Sequence, residues 1–433
     1  MNKRIALMII GILFLLLSGC GKGPDPAKKK TEEKEVLTMM LNGAASDVYA
    51  EGYRKLIDEF NRTNEYGVII QPEFVSNSDY KTKLITMMVS DSEPDIIFTW
   101  ELGYLQNFVD AGKIVNIQKY LDEDKEWASS FNSGTLEQET YNGSVYGIPT
   151  AQCLAVMYYN KDIFQRYGLS VPATYDQYRE VCDTLLENNM TPVALASTSD
   201  DAWLVSQYIQ QLSDGIAGNG LFEGIKDGSR RWNDEAMVRA ARLFQEEVNA
   251  GYFEKGFASV SGSEAEALFQ SGSAAMYFNG TWEISNLNDP EICEVAKDVG
   301  CFSMPAVDPR YADISVGSLD NSFAVTTNCK NVDAAIGLLK YWTSKENAAM
   351  LLYDYGRMPA TKFELDESKL SSLSKDAITC FDQQKALTPW FDRMNTDLGN
   401  EFNHCSIAIA NGEDPKTVLD GLQIYAESDK QQQ

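Results

Sequence analysis

The sequence predicts an α/β protein built as two domains or two lobes. Three observations lead there. Strand-like and helix-like patterns alternate from Val36 to Phe98, the signature of a largely parallel sheet covered by helices. The chain has 433 residues, too many for one ordinary hydrophobic core. Its 44% hydrophobic and 11% aromatic content is that of a folded globular protein.

The first element is a leader. Lys3 and Arg4 precede a charge-free run from Ile5 to Leu17, which is signal-peptide length and too short to span a bilayer as a helix. Leu17-Ser18-Gly19-Cys20 resembles a bacterial lipobox. That implies removal of residues 1–19 and a lipid-bearing Cys20; an ordinary secretory signal with an incidental cysteine is the alternative. Residues 20–35 read as a lipid-anchored flexible tether, with Gly, Pro, three consecutive Lys and no apolar residue beyond Ala27. Such a stretch cannot bury enough surface to fold, and would span roughly 20 Å. No second apolar stretch approaches membrane-spanning length.

Folding is expected to start at Val36. Val36–Leu41 has strand character, and Asn42-Gly43 breaks it. Tyr49, Tyr53, Leu56, Ile57 and Phe60 follow at helical spacing,. Val68–Ile70 is a second strand, expected to stop before Pro72, and Tyr80, Leu84, Ile85 and Met88 mark a second helix. Pro94–Phe98 is a third strand, apolar enough to be buried on both faces,. In such sheets ligands sit beyond the carboxyl ends of the strands. The loops Asn42–Asp47, Ser76–Asp79 and Thr99–Gly103 are therefore candidate contact loops. Later segments are more helical: Tyr175–Asn188, Trp203–Leu212, Glu235–Ala250, Glu264–Gln270, Val332–Thr343 and Lys345–Tyr353. Short strands are expected near Val145–Ile148, Ala155–Tyr159 and Ala274–Phe278.

Charge and motifs exclude several functions. A net charge of −26 repels nucleic acid and anionic headgroups, so neither is an expected partner. The single histidine, His404, sits beside Phe402 and Cys405 and is read as structural. No Gly-x-Ser-x-Gly elbow, His-Glu-x-x-His, phosphate loop or dinucleotide fingerprint occurs,. Seven cysteines follow Cys20 without any Cys-x-x-Cys, so no metal site and no cofactor is expected. Most are read as small core fillers. Cys293 and Cys301 are the only close pair, and a disulfide is weighed there.

Aromatics are the positive signal. Trp100, Tyr104, Trp203, Trp232, Trp282, Trp390 and Phe391 lie near loops or segment edges. A sugar ring offers an apolar C–H face to such side chains and polar rims to Asp, Asn, Gln and Arg. A glycosidase needs only two carboxylates, and with 63 acidic residues composition leaves that alternative open.

Several stretches in order then resemble the solute-binding lipoproteins of carbohydrate ABC importers, the maltose-binding-protein-like group. They are Pro94–Phe98 with Ala111–Val115, Gly143–Pro149, Tyr158–Phe164 and Val171–Asp176, where Tyr175 replaces the usual Trp. Phe269–Met276 continuing to Gly280-Thr281-Trp282 is the most specific stretch, and Tyr355–Ala360 comes after it. The resemblance covers about residues 36–425. It implies a two-lobed periplasmic-binding-protein-like fold of type II, each lobe a mostly parallel sheet flanked by helices, with three crossover hinge segments and closure over ligand. The crossovers map to Ile148–Gln152, Val299–Ala306 and Tyr353–Met358. Lobe one is then 36–148 plus 306–354, lobe two 150–300 plus 356–425, and 426–433 a tail.

The same resemblance implies site residues. Trp282 looks like the family's stacking tryptophan, and Trp100 with Glu101 occupies a sugar-contact loop, the aromatic shifted by one position. Asn42, Ser46 and Asp47 fall in the first strand-to-helix loop, and Asp200, Asp201 and Trp203 in a lobe-two loop. Asp320 lies where the chain passes back near the cleft, and Trp390 and Arg393 are further candidates. The implied protein is a monomer held at the membrane by its N-terminal lipid. It captures a sugar or oligosaccharide and delivers it to an ABC permease, without making or breaking a bond. A surface glycosidase or lyase, and a glycan-binding sensor or adhesion lipoprotein, are the rival readings.

Overall fold

The computed structural model describes residues 34–429. The chain divides into two units, Met1–Lys34 and Glu35–Gln433, and the second holds every strand and helix of the described residues. The leader at 1–19, Cys20, the tether up to residue 33 and residues 430–433 lie outside the described residues. Among the described residues no helix is long and apolar enough to cross a membrane.

The first half forms as its pattern predicts. Strand β1 (Glu35–Asn42) lies between β2 (Val68–Val75) and β3 (Ile96–Thr99), parallel to both. Helix Val48–Thr63 buries Tyr53, Leu56, Ile57 and Phe60. Helix Asn77–Val89 buries Tyr80, Leu84 and Met88, but Ile85, counted in its apolar face, is exposed. β2 also runs through Pro72 to Val75, past its expected stop. It is the edge strand, where the missing proline N–H leaves no ladder bond unmade.

A short hairpin, β4 (Thr140–Tyr141) with β5 (Ser144–Val145), leads into β6 (Gly147–Asn160). After β7 (Thr191–Ala194), β8 (Ala274–Gly280) and β9 (Val299–Phe302) comes a second long strand, β10 (Ile314–Val325), and then β11 (Ala386–Thr388). The main sheet runs β2-β1-β3-β10-β6-β8-β7, with β11 added to β10 and β9 to β6. β7 and β8 pair in parallel, as do β10 and β11. β6 is antiparallel to β8, β9 and β10, and β10 is antiparallel to β3.

Two buried apolar clusters sit along this sheet. One gathers residues between Leu37 and Ile148 with Phe323 to Tyr355; the other gathers Cys153 to Val316 with Leu352 to Ala426. β6 and β10 each pass from one cluster to the other, and the chain passes again between Leu352 and Met358. The middle passage differs from the expected Val299–Ala306. Val299 and Phe302 belong to β9, on the ladder of β6, and they bury in the second cluster with Met304 and Val316. Residues 306–316, assigned to lobe one from the sequence, thus lead to the second cluster, and the chain changes sides only within β10. At the other end, helix Pro415–Asp429 continues past 425 with Ala426 buried. His404 lies on the surface, its Nδ1 3.7 Å from Glu401, rather than packed beside Phe402.

Candidate functional site

A cavity of about 380 Å³ opens where the two clusters meet. Of the site residues that the family resemblance implies, Asn42, Asp47, Trp100 and Asp320 line it. So do Trp203, Trp282, Trp390 and Arg393. Three do not. Ser46 and Asp200 are exposed on their loops, the neighbouring Asp201 lining the cavity instead. Glu101 is fully buried and is not part of the lining.

Three indoles make one wall. Trp203 and Trp282 have ring centroids 5.8 Å apart, and Trp282 and Trp390 5.7 Å apart. Trp203 stands in the first turn of helix Ala202–Ala217, and Trp282 in the turn Thr281–Glu283 that ends β8. Gly280 makes this turn fit. A Cβ added there would overlap the Trp282 ring, so only glycine lets the indole fold back over the strand end. Trp100 and Trp390 are 5% and 3% exposed, whereas Trp282 remains partly open.

Cations cover the buried rings. The Arg393 guanidinium lies 4.7 Å from the Trp100 centroid and 5.1 Å from that of Trp390, a favourable cation–π geometry. Lys81 sits 5.0 Å from the Trp100 ring and 3.8 Å from Asp392. Burial lowers the Lys81 pKa, and Arg393 adds to that while Asp392 opposes it. The fold assembles a basic cluster here from segments more than 300 residues apart, offset by Asp392.

The bulge in β10 delivers the central charge. Its pairing with β6 shifts between Leu319 and Asn321, which leaves Asp320 out of the ladder and turned into the cavity. Asp320 pairs with Arg357 at 2.5 Å, both side chains largely buried. Arg357 Nη2 also donates to Asn321 Oδ1 at 2.8 Å, and its guanidinium lies 4.7 Å from the Tyr49 centroid. Burial works against the Arg357 charge, but Asp320 and the nearby tyrosines raise its pKa above the ordinary value. Burial raises the Asp320 carboxyl, and Arg357 and Arg393 oppose that rise.

Opposite lies an acidic and amide corner. Asn286 Nδ2 donates to Glu266 Oε1 at 3.2 Å and to Glu283 Oε2 at 3.3 Å. Asn279 Nδ2 donates to Glu283 Oε1 at 3.3 Å. Burial, reinforced by Glu266, pushes the Glu283 carboxyl up to about 8, and burial likewise raises Glu266. This shift favours the protonated form of Glu283, which can both donate to and accept from a hydroxyl,. Sequence reasoning missed Lys81, Arg357, Glu266, Glu283 and the two asparagines. Asn279 and Glu283 flank Trp282, which is the one local signal for them; Arg357 lies inside the Tyr355–Ala360 stretch without being marked there as a site residue. Among the described residues no group of three or more His, Cys, Asp or Glu is arranged to hold a metal ion.

The profile of the bacterial extracellular solute-binding protein family matches residues 45–349. The chain belongs to that family. Among relatives of this solute-binding protein is the multiple sugar-binding protein of Streptococcus mutans serotype c, 26% identical over 384 residues that cover 86% of this chain and 85% of the relative. A solved structure described under xylan utilization by the thermophilic bacterium Caldanaerobius polysaccharolyticus is 27% identical, with a TM-score of 0.83. It covers 90% of this chain and 99% of its own. A chitin oligosaccharide binding protein aligns with a TM-score of 0.84 at 23% identity, over 92% of this chain and 99% of that one. These matches place the chain in the two-lobed α/β fold of solute-binding proteins and its family outside the cytoplasm.

Proposed function

We propose that this solute-binding protein captures a sugar or short oligosaccharide between two lobes and delivers it to a membrane ABC permease. The observation that carries the reading is the indole wall Trp203–Trp282–Trp390 facing a hydroxyl-matching corner of Glu266, Glu283, Asn279 and Asn286. Stacked C–H faces and oriented hydroxyls are what a sugar needs from a site. The cavity of about 380 Å³ is near the lower end for small-molecule pockets, which favours one or two sugar rings over a long chain. The sugar specificities in the names of the relatives support the same class.

The lobes are 36–148 with about 323–354, and about 153–316 with 356–429, hinged where β6, β10 and residues 352–358 pass between the two cores. Asn42, Asp47, Trp203, Trp282 and Asp320 contact the ligand, and Trp100, Trp390 and Arg393 buttress them. Cys20 carries the lipid that keeps a monomeric receptor near its permease, and no bond of the ligand is broken.

A thermal-shift panel of mono- and oligosaccharides tests the proposal. A true ligand at 100 times its dissociation constant stabilises by about 2.7 kcal/mol, and Trp282→Ala abolishes that shift while the unliganded protein stays folded. A panel without any shift, or release of smaller saccharides on prolonged incubation, overturns the reading.

A further inference from the structure

We propose that the saccharide taken by this site is acidic, a uronic acid or a uronate-bearing oligosaccharide, and that Lys81 and Arg393 hold its carboxylate. The inference rests on the saccharide reading above and adds the charge class to it. Lys81 stands on the helix Asn77–Val89 and Arg393 on the short helix Phe391–Met394, and both line the cavity. Their charged groups lie 5.0 Å and 4.7 Å from the centroid of one ring, Trp100. Two cations from distant segments are thereby held side by side.

Their charge is only half balanced. Among the described residues one carboxylate, Asp392, pairs with both, its oxygens 3.8 Å from Lys81 Nζ and 3.4 Å from Arg393 Nε. Both distances are long for hydrogen bonds. Asp320 is engaged by Arg357 at 2.5 Å, and burial raises the Glu101 carboxyl toward its neutral form, against Arg393. A largely buried cation without its own counter-charge is costly. A ligand carboxylate supplies the missing one.

Donors without acceptors mark the same corner. Arg393 Nε has no hydrogen-bond partner, and neither does the indole Nε1 of Trp390, which is 3% exposed and lines the cavity. Both atoms can only donate. An ionised carboxylate can only accept, and its two oxygens fit the planar fork of a guanidinium. The size of the imbalance selects the group. One excess positive charge matches a carboxylate, whereas a phosphate monoester carries about −1.5 to −2 at neutral pH and would face Glu266 and Glu283 across the same cavity. Those two acids also orient the ligand. Its carboxylate end turns to Lys81 and Arg393, and its hydroxyls turn to Glu283, Asn279 and Asn286.

Titration calorimetry on the full chain with matched pairs tests this. Galacturonic acid is compared with galactose and glucuronic acid with glucose, as monomers and dimers, and each uronic acid with its methyl ester, which loses the charge. In at least one pair the uronate is expected to bind tenfold or more tighter than both its neutral partner and its ester. Lys81→Gln and Arg393→Gln should each cut that ratio of affinities by tenfold or more. Should Arg393→Gln fail to fold, Lys81→Gln and the ester decide. A uronate that binds no tighter than its neutral partner or its ester overturns the charge assignment and leaves the saccharide reading standing, as does a ratio that Lys81→Gln leaves unchanged. If neither acidic nor neutral saccharides bind, the saccharide reading fails and this inference with it.

Discussion

Gly280→Ala is the sharpest probe of the indole wall, because it removes no ligand-facing group. Gly280 has a φ of −98°, so alanine can adopt the backbone without strain. The obstacle is the Trp282 ring, which an added Cβ would overlap. Restoring ordinary carbon contact moves the indole by on the order of 1–2 Å. Trp282 packs on both Trp203 and Trp390, and each aromatic pair is worth about 0.5–1.5 kcal/mol. Loss of both puts about 1–3 kcal/mol into disordering the platform, or roughly a 5- to 150-fold weaker ligand at 1.4 kcal/mol per decade. Titration calorimetry with a sugar identified by thermal shift measures it, with the midpoint of the unliganded variant as the control for folding. An affinity within twofold of the parent, in a folded variant, refutes the assignment of Trp282 as the platform.

Asp320→Asn leaves the buried Arg357 without its counter-charge and is expected to cost about 3–5 kcal/mol of stability, read as a lower urea midpoint. Replacing both partners by apolar residues should cost less than the single change. Burial pushes the Glu139 carboxyl up to about 8, against the lowering effect of the Ser322 hydroxyl. The folded state therefore holds a proton that the unfolded state has already released above its ordinary carboxylate value of 4.5. Stability falls as pH rises from about 5 to 8, and Glu139→Gln should flatten that fall in a series of thermal midpoints. A midpoint that rises over this window contradicts it. His404→Ala, at an exposed side chain, should leave both stability and ligand affinity unchanged within about 0.5 kcal/mol.

Much of the fold was legible because it is local. The β1–helix–β2–helix–β3 order comes from apolar runs and 3.6-residue periodicity, and all but one of the named face residues of those two helices are at least half-buried. β2 outran its predicted end because edge position, a property of the sheet, makes Pro72 harmless. The aromatic side of the site was legible too, since Trp203 and Trp282 stand at element ends. The polar side was not. Glu266, Asn286 and Lys81 read as ordinary helix residues, and nothing local marks which of many acids and lysines faces a cavity.

The sequence by itself determined the α/β class, the leader-like start, the family and the tryptophans worth testing, because each is encoded in neighbouring residues. Tertiary structure alone decided where the chain changes cores, because β10 bulges at Asp320 and only its partner strands reveal the bulge. It also decided which charges meet. Lys81 finds Asp392, and Asp320 finds Arg357. Each of those pairs joins residues far apart in sequence. A single chain carries no local signal of such encounters, since burial and proximity are properties of the packed molecule.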